Sequence, residues 1–311
     1  MSVLNPSARD LWQLCRNCKR VTAPGEHLCR IVVPFDYSLD TSTSRILIHR
    51  LDGTTRELLV AFVRLPHSNL LKADWNALSR QQIGGRAAHG ATDEPAEELW
   101  MHLVGSRNEA AVAYYLNVPQ YTGHSRHHPD AGWYHVRGRP CPEHSLIIRR
   151  NDLAYPDDVF ILTTAASSND GVPYVDDTFI IWGWLYVREA EQPVFYKNVV
   201  PHRDREKAWF VPKSELRSID TLPSLDPPTD LSPERGHKEL NPSGLKHRSG
   251  VTWDYNDPTR MQIHDFRQAK LYAHWLQAFL MRRIMVPEDS AIMVHYTSVL
   301  RAIDKEATKD G

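Results

Sequence analysis

The sequence predicts a mixed α/β (α+β) fold, with a mixed-sheet core, an N-terminal β-rich region and a C-terminal helical hairpin. The segment 99–116 has apolar residues at helical spacing, and several short apolar runs follow it before residue 222. A helix that leads into a run of strands is typical of α/β and α+β proteins. Two amphipathic segments separated by Pro287 end the sequence, and this arrangement predicts an αα-hairpin.

Changes in composition divide the chain into four parts. Residues 1–98 form a β-rich region, because apolar runs at 44–49 and 57–63 flank a turn sequence. Residues 99–222 form the core. Residues 223–250 are rich in Pro and Ser and are typical of a linker. Residues 251–311 form the helical hairpin.

The strands of the core are predicted from short apolar runs bounded by polar residues. They are expected at 132–137, 145–149, 158–164 and 179–187. The last run is apolar on both faces, which predicts a strand in the interior of the sheet.

Composition limits the classes of partner. The formal net charge of the 311 residues is -1, so nucleic-acid binding would need local clusters of Lys and Arg. No apolar run is long enough to span a bilayer, and the N-terminus lacks a signal-peptide pattern, so no membrane partner is expected. Four Cys in this length suit a reducing compartment, which predicts a cytoplasmic protein.

Two acidic residues suggest chemistry on phosphodiester bonds. Glu109 lies on the predicted helix, and Asp130 lies in the loop that enters a predicted strand. Phosphodiester hydrolysis commonly uses a metal ion that lowers the pKa of a bound water. Magnesium and manganese prefer oxygen ligands. A helix carboxylate and a strand-entry carboxylate can converge on such an ion, and Arg137 is the cation available to orient the phosphate.

The core resembles the PD-(D/E)XK nuclease superfamily, and small phage-borne members of it in particular. The resemblance rests on GSRNEAAVA at 105–113, DAG at 130–132, HVR at 135–137, GW at 183–184 and AWFVP at 208–212, and it is limited to residues 99–222. It implies a restriction-endonuclease-like core in which Glu109 and Asp130 bind the metal. His135 would occupy the second carboxylate position and Arg137 the lysine position, which makes these four the expected catalytic residues.

Two departures from the family pattern leave several outcomes open. The imidazole of His135 favours softer metals than magnesium. Arg137 can hold a phosphate but does not readily lose a proton. The hypotheses are therefore a metal-dependent nuclease, a nuclease-like module that binds nucleic acid without cutting it, and a structural protein that oligomerises through its C-terminal helices. Alternatively, Glu109 belongs to a solvated helix face and Asp130 forms a turn.

A second metal site is suggested near the N-terminus. Cys15 and Cys18 have the spacing of zinc ligands, and His27 and Cys29 could complete a structural zinc site. The alternative is that the cysteines are small apolar residues on a helix.

Four basic residues are the predicted contacts to nucleic acid: Arg126, Arg149, Arg267 and Lys270. The alternative is that they are simply solvated. The sequence contains no P-loop, no dinucleotide-binding glycine pattern and no nucleophile elbow. ATP hydrolysis, dinucleotide binding and α/β-hydrolase chemistry are therefore not indicated.

Overall fold

The structure is a computed structural model. It describes residues 41–49, 54–84, 95–121, 129–140, 142–166, 177–198, 207–225, 250–253, 260–281 and 290–308. The strands are β1 (Thr41–His49), β2 (Thr55–Arg64), β3 (His135–Arg139), β4 (Leu146–Arg149), β5 (Val159–Ala165), β6 (Thr178–Tyr186), β7 (Tyr196–Asn198), β8 (Lys207–Val211), β9 (Val251–Trp253) and β10 (Met261–Ile263). The helices are α1 (His67–Gly84), α2 (Pro95–Leu116), α3 (Val187–Ala190), α4 (Phe266–Met281) and α5 (Ala291–Ala307).

A five-stranded sheet forms the centre of the fold. Its strand order is β1-β2-β6-β5-β3. All neighbours are antiparallel except β3 and β5, which run parallel. Strands β5 and β6 are almost entirely buried, because helix α2 covers one face of the sheet and a small sheet covers the other. Strands β1 and β2, which come from the predicted N-terminal region, belong to the same sheet as the core strands.

The two faces of the sheet carry separate hydrophobic clusters. On one face Val136, Ile161 and Ile181 pack with the alanines of α2. On the other face Phe160 and Trp182 pack with the small sheet of order β4-β8-β7. Side chains alternate between the faces of a strand, so each residue of β3 has access to only one of these environments.

Helices α1 and α2 form an antiparallel pair. Ala73 of α1 shares a cluster with Ala110 of α2. Leu78, one helical turn further along α1, shares a different cluster with Leu99 at the start of α2. The two helices therefore run in opposite directions, and the long Arg80 side chain near the end of α1 reaches Glu109 on α2.

The C-terminal part contains the predicted helical hairpin. Helices α4 and α5 pack together, and Leu276 and Val299 join the cluster that contains Leu78 and Leu99. The first helix of the hairpin begins at Phe266, because the preceding Met261–Ile263 pairs with Val251–Trp253 as a short two-stranded sheet. The apolar side of the hairpin is used inside the chain, and its role in oligomerisation stays a prediction.

The mixed α/β class is confirmed. The sheet is mixed and is covered by helices, as the pattern of elements indicated. Among the described helices, none combines the length and apolar character needed to cross a membrane.

Candidate functional site

A buried polar cluster lies between the helices and the entry to β3. The Arg80 side chain reaches from α1 and donates to both carboxylate oxygens of Glu109 on α2, at 2.7 Å from Nη1 to Oε1 and 2.5 Å from Nη2 to Oε2. Glu109 is only 5% exposed. Gln120, which follows α2, donates its side-chain amide to the Ser106 carbonyl at 2.8 Å, beside the same part of α2. This is a bidentate, charge-assisted pair shielded from water, a geometry that fixes both side chains.

The charge balance of this cluster is negative. Burial raises the pKa of Glu109, and the charge of Asp130 adds to that rise, whereas the Arg80 guanidinium and the Gln120 amide oppose it. Burial alone would lower the pKa of Arg80, but the charges of Glu109 and Asp130 raise it above its ordinary value. Arg80 therefore remains charged, paired with Glu109 and influenced by the charge of Asp130.

Asp130 has a structural role at the start of β3. Its Oδ2 accepts a hydrogen bond from the Val136 amide at 2.8 Å. Its own amide donates to the Tyr134 carbonyl at 2.9 Å, and its carbonyl accepts from the Tyr121 amide at 3.0 Å. These contacts hold Asp130 in the turn that enters β3, which is the alternative role expected from the sequence.

A second ion pair joins the same two helices. Arg107 of α2 donates to both oxygens of Asp74 on α1, at 2.6 Å from Nε and 2.7 Å from Nη2. The Asp74 side chain is 3% exposed. In one pair the arginine belongs to α1, and in the other it belongs to α2. A shift of one helix along its axis would break both pairs, so together they define how α1 and α2 are aligned.

His135 and Arg137 lie on the other face of the sheet. Between them, Val136 packs against α2. Gly138 also faces α2, because a Cβ atom there would lie 2.7 Å from Cβ of Asn108. His135 and Arg137 alternate with these two residues and therefore point away from Glu109.

The two side chains have other partners on that face. The His135 imidazole stacks on Phe160 with ring centroids 4.8 Å apart, and its Nε2 lies 3.1 Å from Oδ2 of Asp158. The Arg137 guanidinium also lies over Phe160, at 4.5 Å, and its Nη2 is 2.7 Å from Oδ2 of Asp152. The charge of Asp130 acts on Glu109, whereas His135 and Arg137 lie on the opposite face of the sheet. The four-residue catalytic grouping stays a prediction.

The donor set does not fit a magnesium or manganese ion. Both oxygens of Glu109 accept hydrogen bonds from Arg80, and one oxygen of Asp130 accepts from the backbone. Hard cations need several carboxylate, carbonyl or water oxygens directed at one point. Across the ranges that the structure describes, no three His, Cys, Asp or Glu side chains group closely enough to hold a metal. The magnesium or manganese site stays a prediction.

The remaining predicted residues are dispersed or lie outside the described residues. Arg149 is exposed at the end of β4, and its amide donates to Asp152 Oδ2 at 2.7 Å. Arg267 and Lys270 are exposed on α4, where Lys270 lies over Phe266 at 4.4 Å. Five predicted residues lie outside the described ranges: Cys15, Cys18, His27, Cys29 and Arg126.

The sequence analysis missed a groove beside the end of β6. The Arg217 guanidinium lies 4.8 Å over the Trp184 ring and 5.4 Å from that of Tyr186, and it forms an ion pair with Glu189. Arg56 of β2 lines the same groove and donates to the Ser214 carbonyl at 3.1 Å. No sequence motif joins these residues. They meet because the Trp184 and Arg217 backbones pair across an isolated bridge.

Comparisons with known proteins add no assignment. A scan against protein-family models finds no match to this chain. Searches of curated proteins and of solved structures also find no match. The resemblance to PD-(D/E)XK nucleases therefore rests on the sequence motifs alone.

Proposed function

We propose that this chain binds nucleic acid through a nuclease-like core and does not hydrolyse it at the Glu109–Asp130 cluster. The observation that carries the proposal is the bidentate pair, in which Arg80 occupies both oxygens of Glu109. A metal-dependent hydrolase needs those oxygens for its cation. Here a guanidinium supplied by α1 neutralises Glu109, so the acidic pair serves the packing of α1, α2 and β3.

An arginine-rich surface at the end of β6 supports the binding part of the proposal. Arg217 lies over Trp184 and Tyr186, and Arg188 lies 4.4 Å from the Tyr186 ring centroid. Arg56 faces the same groove. Because the net charge of the chain is -1, attraction to a phosphate backbone must come from local clusters such as this one. Stacked guanidiniums lose little freedom when they bind a phosphate.

A fluorescence-anisotropy titration tests this function. The intact chain would be titrated into labelled single-stranded and duplex oligonucleotides of DNA and of RNA, at several salt concentrations and with a chelator present. We expect binding that weakens as salt increases, because phosphate contacts release counterions. Absence of binding to every oligonucleotide at low salt would contradict the proposal and favour a structural role.

A second candidate, the metal-dependent nuclease, is favoured by one observation. The charge of Asp130 raises the pKa of Glu109, so the two carboxylates interact electrostatically. In this function Arg80 would have to release Glu109. Arg80→Met with manganese would then cleave an oligonucleotide, and the double variant with Asp130→Asn would not. Absence of cleavage by Arg80→Met, in protein that remains folded, would reject this candidate.

A further inference from the structure

We infer that the groove at Arg56 and Arg217 holds a single nucleotide unit, with its phosphate on the two guanidiniums and its base in the adjoining cavity. The inference rests on the proposed nucleic-acid binding and names the part of the ligand that this groove recognises. It concerns a surface far in sequence from Glu109 and Asp130, and the buried cluster takes no part in it.

Two adjoining cavities share the two arginines. The first, called here the carboxylate cavity, has a volume of about 500 Å³ and is lined by Arg56, Leu185, Glu189, Gln192, Phe195, Val211, Glu215 and Arg217. The second, called here the hydroxyl cavity, has a volume of about 460 Å³ and is lined by Arg56, Trp184, Tyr186, Arg217, Ser218, Thr221 and Pro223. Arg56 and Arg217 thus stand at the boundary between two spaces, each of a size that suits part of a small ligand.

The charges of the lining residues favour the hydroxyl cavity for the phosphate of the ligand. The hydroxyl cavity is lined by both guanidiniums and by no carboxylate. An anion is therefore attracted to this side of the arginine pair. A guanidinium has five N–H donors, and the bonds to Ser214 and Glu189 use one of them on Arg56 and one on Arg217. The fork geometry of the remaining donors matches a phosphate group.

Arg217 is held in position before any ligand arrives. The Trp184 side chain beneath it is 2% exposed, and its indole Nε1 donates to the Ser218 carbonyl at 3.1 Å. The ring, the guanidinium and Glu189 therefore form a fixed stack. Preorganised donors bind an anion more tightly than mobile ones, because less side-chain entropy is lost on binding.

The carboxylate cavity suits a base that presents N–H donors. Its apolar lining is Leu185, Phe195 and Val211, which are largely buried in the core and contribute their edges to the cavity wall. Glu215 is an exposed acceptor at the same cavity, whereas the two oxygens of Glu189 already accept from Arg217 and from the Tyr186 amide. Carboxylates accept from exocyclic amino groups of bases and find no such donor on uracil or thymine. We therefore expect preference for guanine, adenine or cytosine.

Calorimetric titration of the intact chain with GMP, UMP, guanosine and inorganic phosphate tests the inference. We expect GMP to bind more tightly than UMP, guanosine or phosphate. Arg56→Gln and Arg217→Gln should each weaken GMP binding by roughly tenfold or more, the usual effect of losing a charge-assisted hydrogen bond. Arg45→Gln is the matched control, because Arg45 is an exposed arginine on β1 that pairs with Glu57 away from the groove. It should bind GMP as the unaltered chain does.

Further variants keep the test decisive. If Arg217→Gln does not fold, Glu215→Gln replaces it, since Glu215 is exposed. This change should reduce the difference between GMP and UMP. The inference would be overturned if Arg56→Gln and Arg217→Gln both bound GMP as tightly as the unaltered chain. It would also be overturned if Arg56→Gln bound GMP normally and Glu215→Gln kept the unaltered preference for GMP over UMP.

Binding of oligonucleotides separates this inference from the proposed function. If the unaltered chain binds oligonucleotides and the arginine variants bind them equally well, nucleic-acid binding stands and this groove is not its site. If the unaltered chain binds GMP but no oligonucleotide, the groove is a nucleotide site and the proposed function fails. If it binds neither, both fail.

Discussion

The Arg80–Glu109 pair provides a quantitative test of how the core is assembled. Replacing Arg80 by Met leaves a carboxylate of 6% side-chain exposure without its cation, and replacing Glu109 by Leu leaves a guanidinium of 15% exposure without its anion. Breaking a buried pair by removing one partner typically costs about 3–5 kcal/mol. We expect each single substitution to lower the free energy of unfolding by an amount in that range.

The double variant Arg80→Met, Glu109→Leu completes a thermodynamic cycle. It removes both charges together, so its cost should be well below the sum of the two single costs, and the coupling should be about 2 kcal/mol or more. Urea unfolding followed by circular dichroism would measure all four free energies. The exposed pair Arg45–Glu57, at 75% and 56% side-chain exposure, is the control, with an expected coupling of about 0.2–1 kcal/mol. A coupling at Arg80–Glu109 no larger than at the surface pair would refute this account of the cluster.

Three further predictions concern other parts of the fold. Burial lowers the pKa of His295 to about 3, while the unfolded chain takes up a proton near pH 6.5, so stability should fall by about 1.4 kcal/mol for each pH unit lost below 6.5. Unfolding measured from pH 7.5 to 4.5 should show this loss reduced in His295→Gln and unchanged in His274→Gln, an exposed histidine on α4; equal pH slopes in all three proteins would contradict it. Gly138→Ala should be destabilising, because its Cβ would lie 2.7 Å from Asn108 Cβ and 3.1 Å from the Val104 carbonyl oxygen. Gly105→Ala in α2 meets nothing closer than 3.8 Å and should stabilise the chain by up to about 1 kcal/mol. Thermal melting compares the two variants, and equal shifts in melting temperature would be inconsistent with the packing of β3 on α2. Asp152→Asn should lower stability, because it removes the charge that faces Arg137 at 2.7 Å, but it should leave oligonucleotide affinity unchanged. A loss of oligonucleotide binding without a loss of stability would indicate that Arg137 takes part in binding.

Much of the fold could be predicted because its strands are uninterrupted apolar runs. The sequence of β5 and that of β6 leave few other possibilities, and both strands are buried as expected. Helix α1 was not predicted. It buries Asp74 and Asn76 together with its apolar residues, and polar residues on the inner face weaken the periodicity by which an amphipathic helix is identified.

The candidate site was predictable only in part, because one of its residues lies on helix α1, which the sequence pattern did not predict. The position of Asp130 at the entry to β3 agrees with the sequence, which placed it in the loop before this strand. The cation that meets Glu109 comes from α1, the helix that the pattern did not reveal. The face on which His135 and Arg137 lie depends on the register of β3, which is set by the close approach of Gly138 to α2. Nothing in a single short strand sequence specifies that choice.

The most direct test of binding without hydrolysis is a single incubation with two readouts. A labelled single-stranded oligonucleotide would be mixed with the intact chain and manganese, its anisotropy recorded, and its length then determined on a denaturing gel. We predict raised anisotropy and a full-length oligonucleotide after prolonged incubation. Shortened products that form with the unaltered chain and disappear with Asp130→Ala would contradict the account, because they would show that the acidic pair performs catalysis.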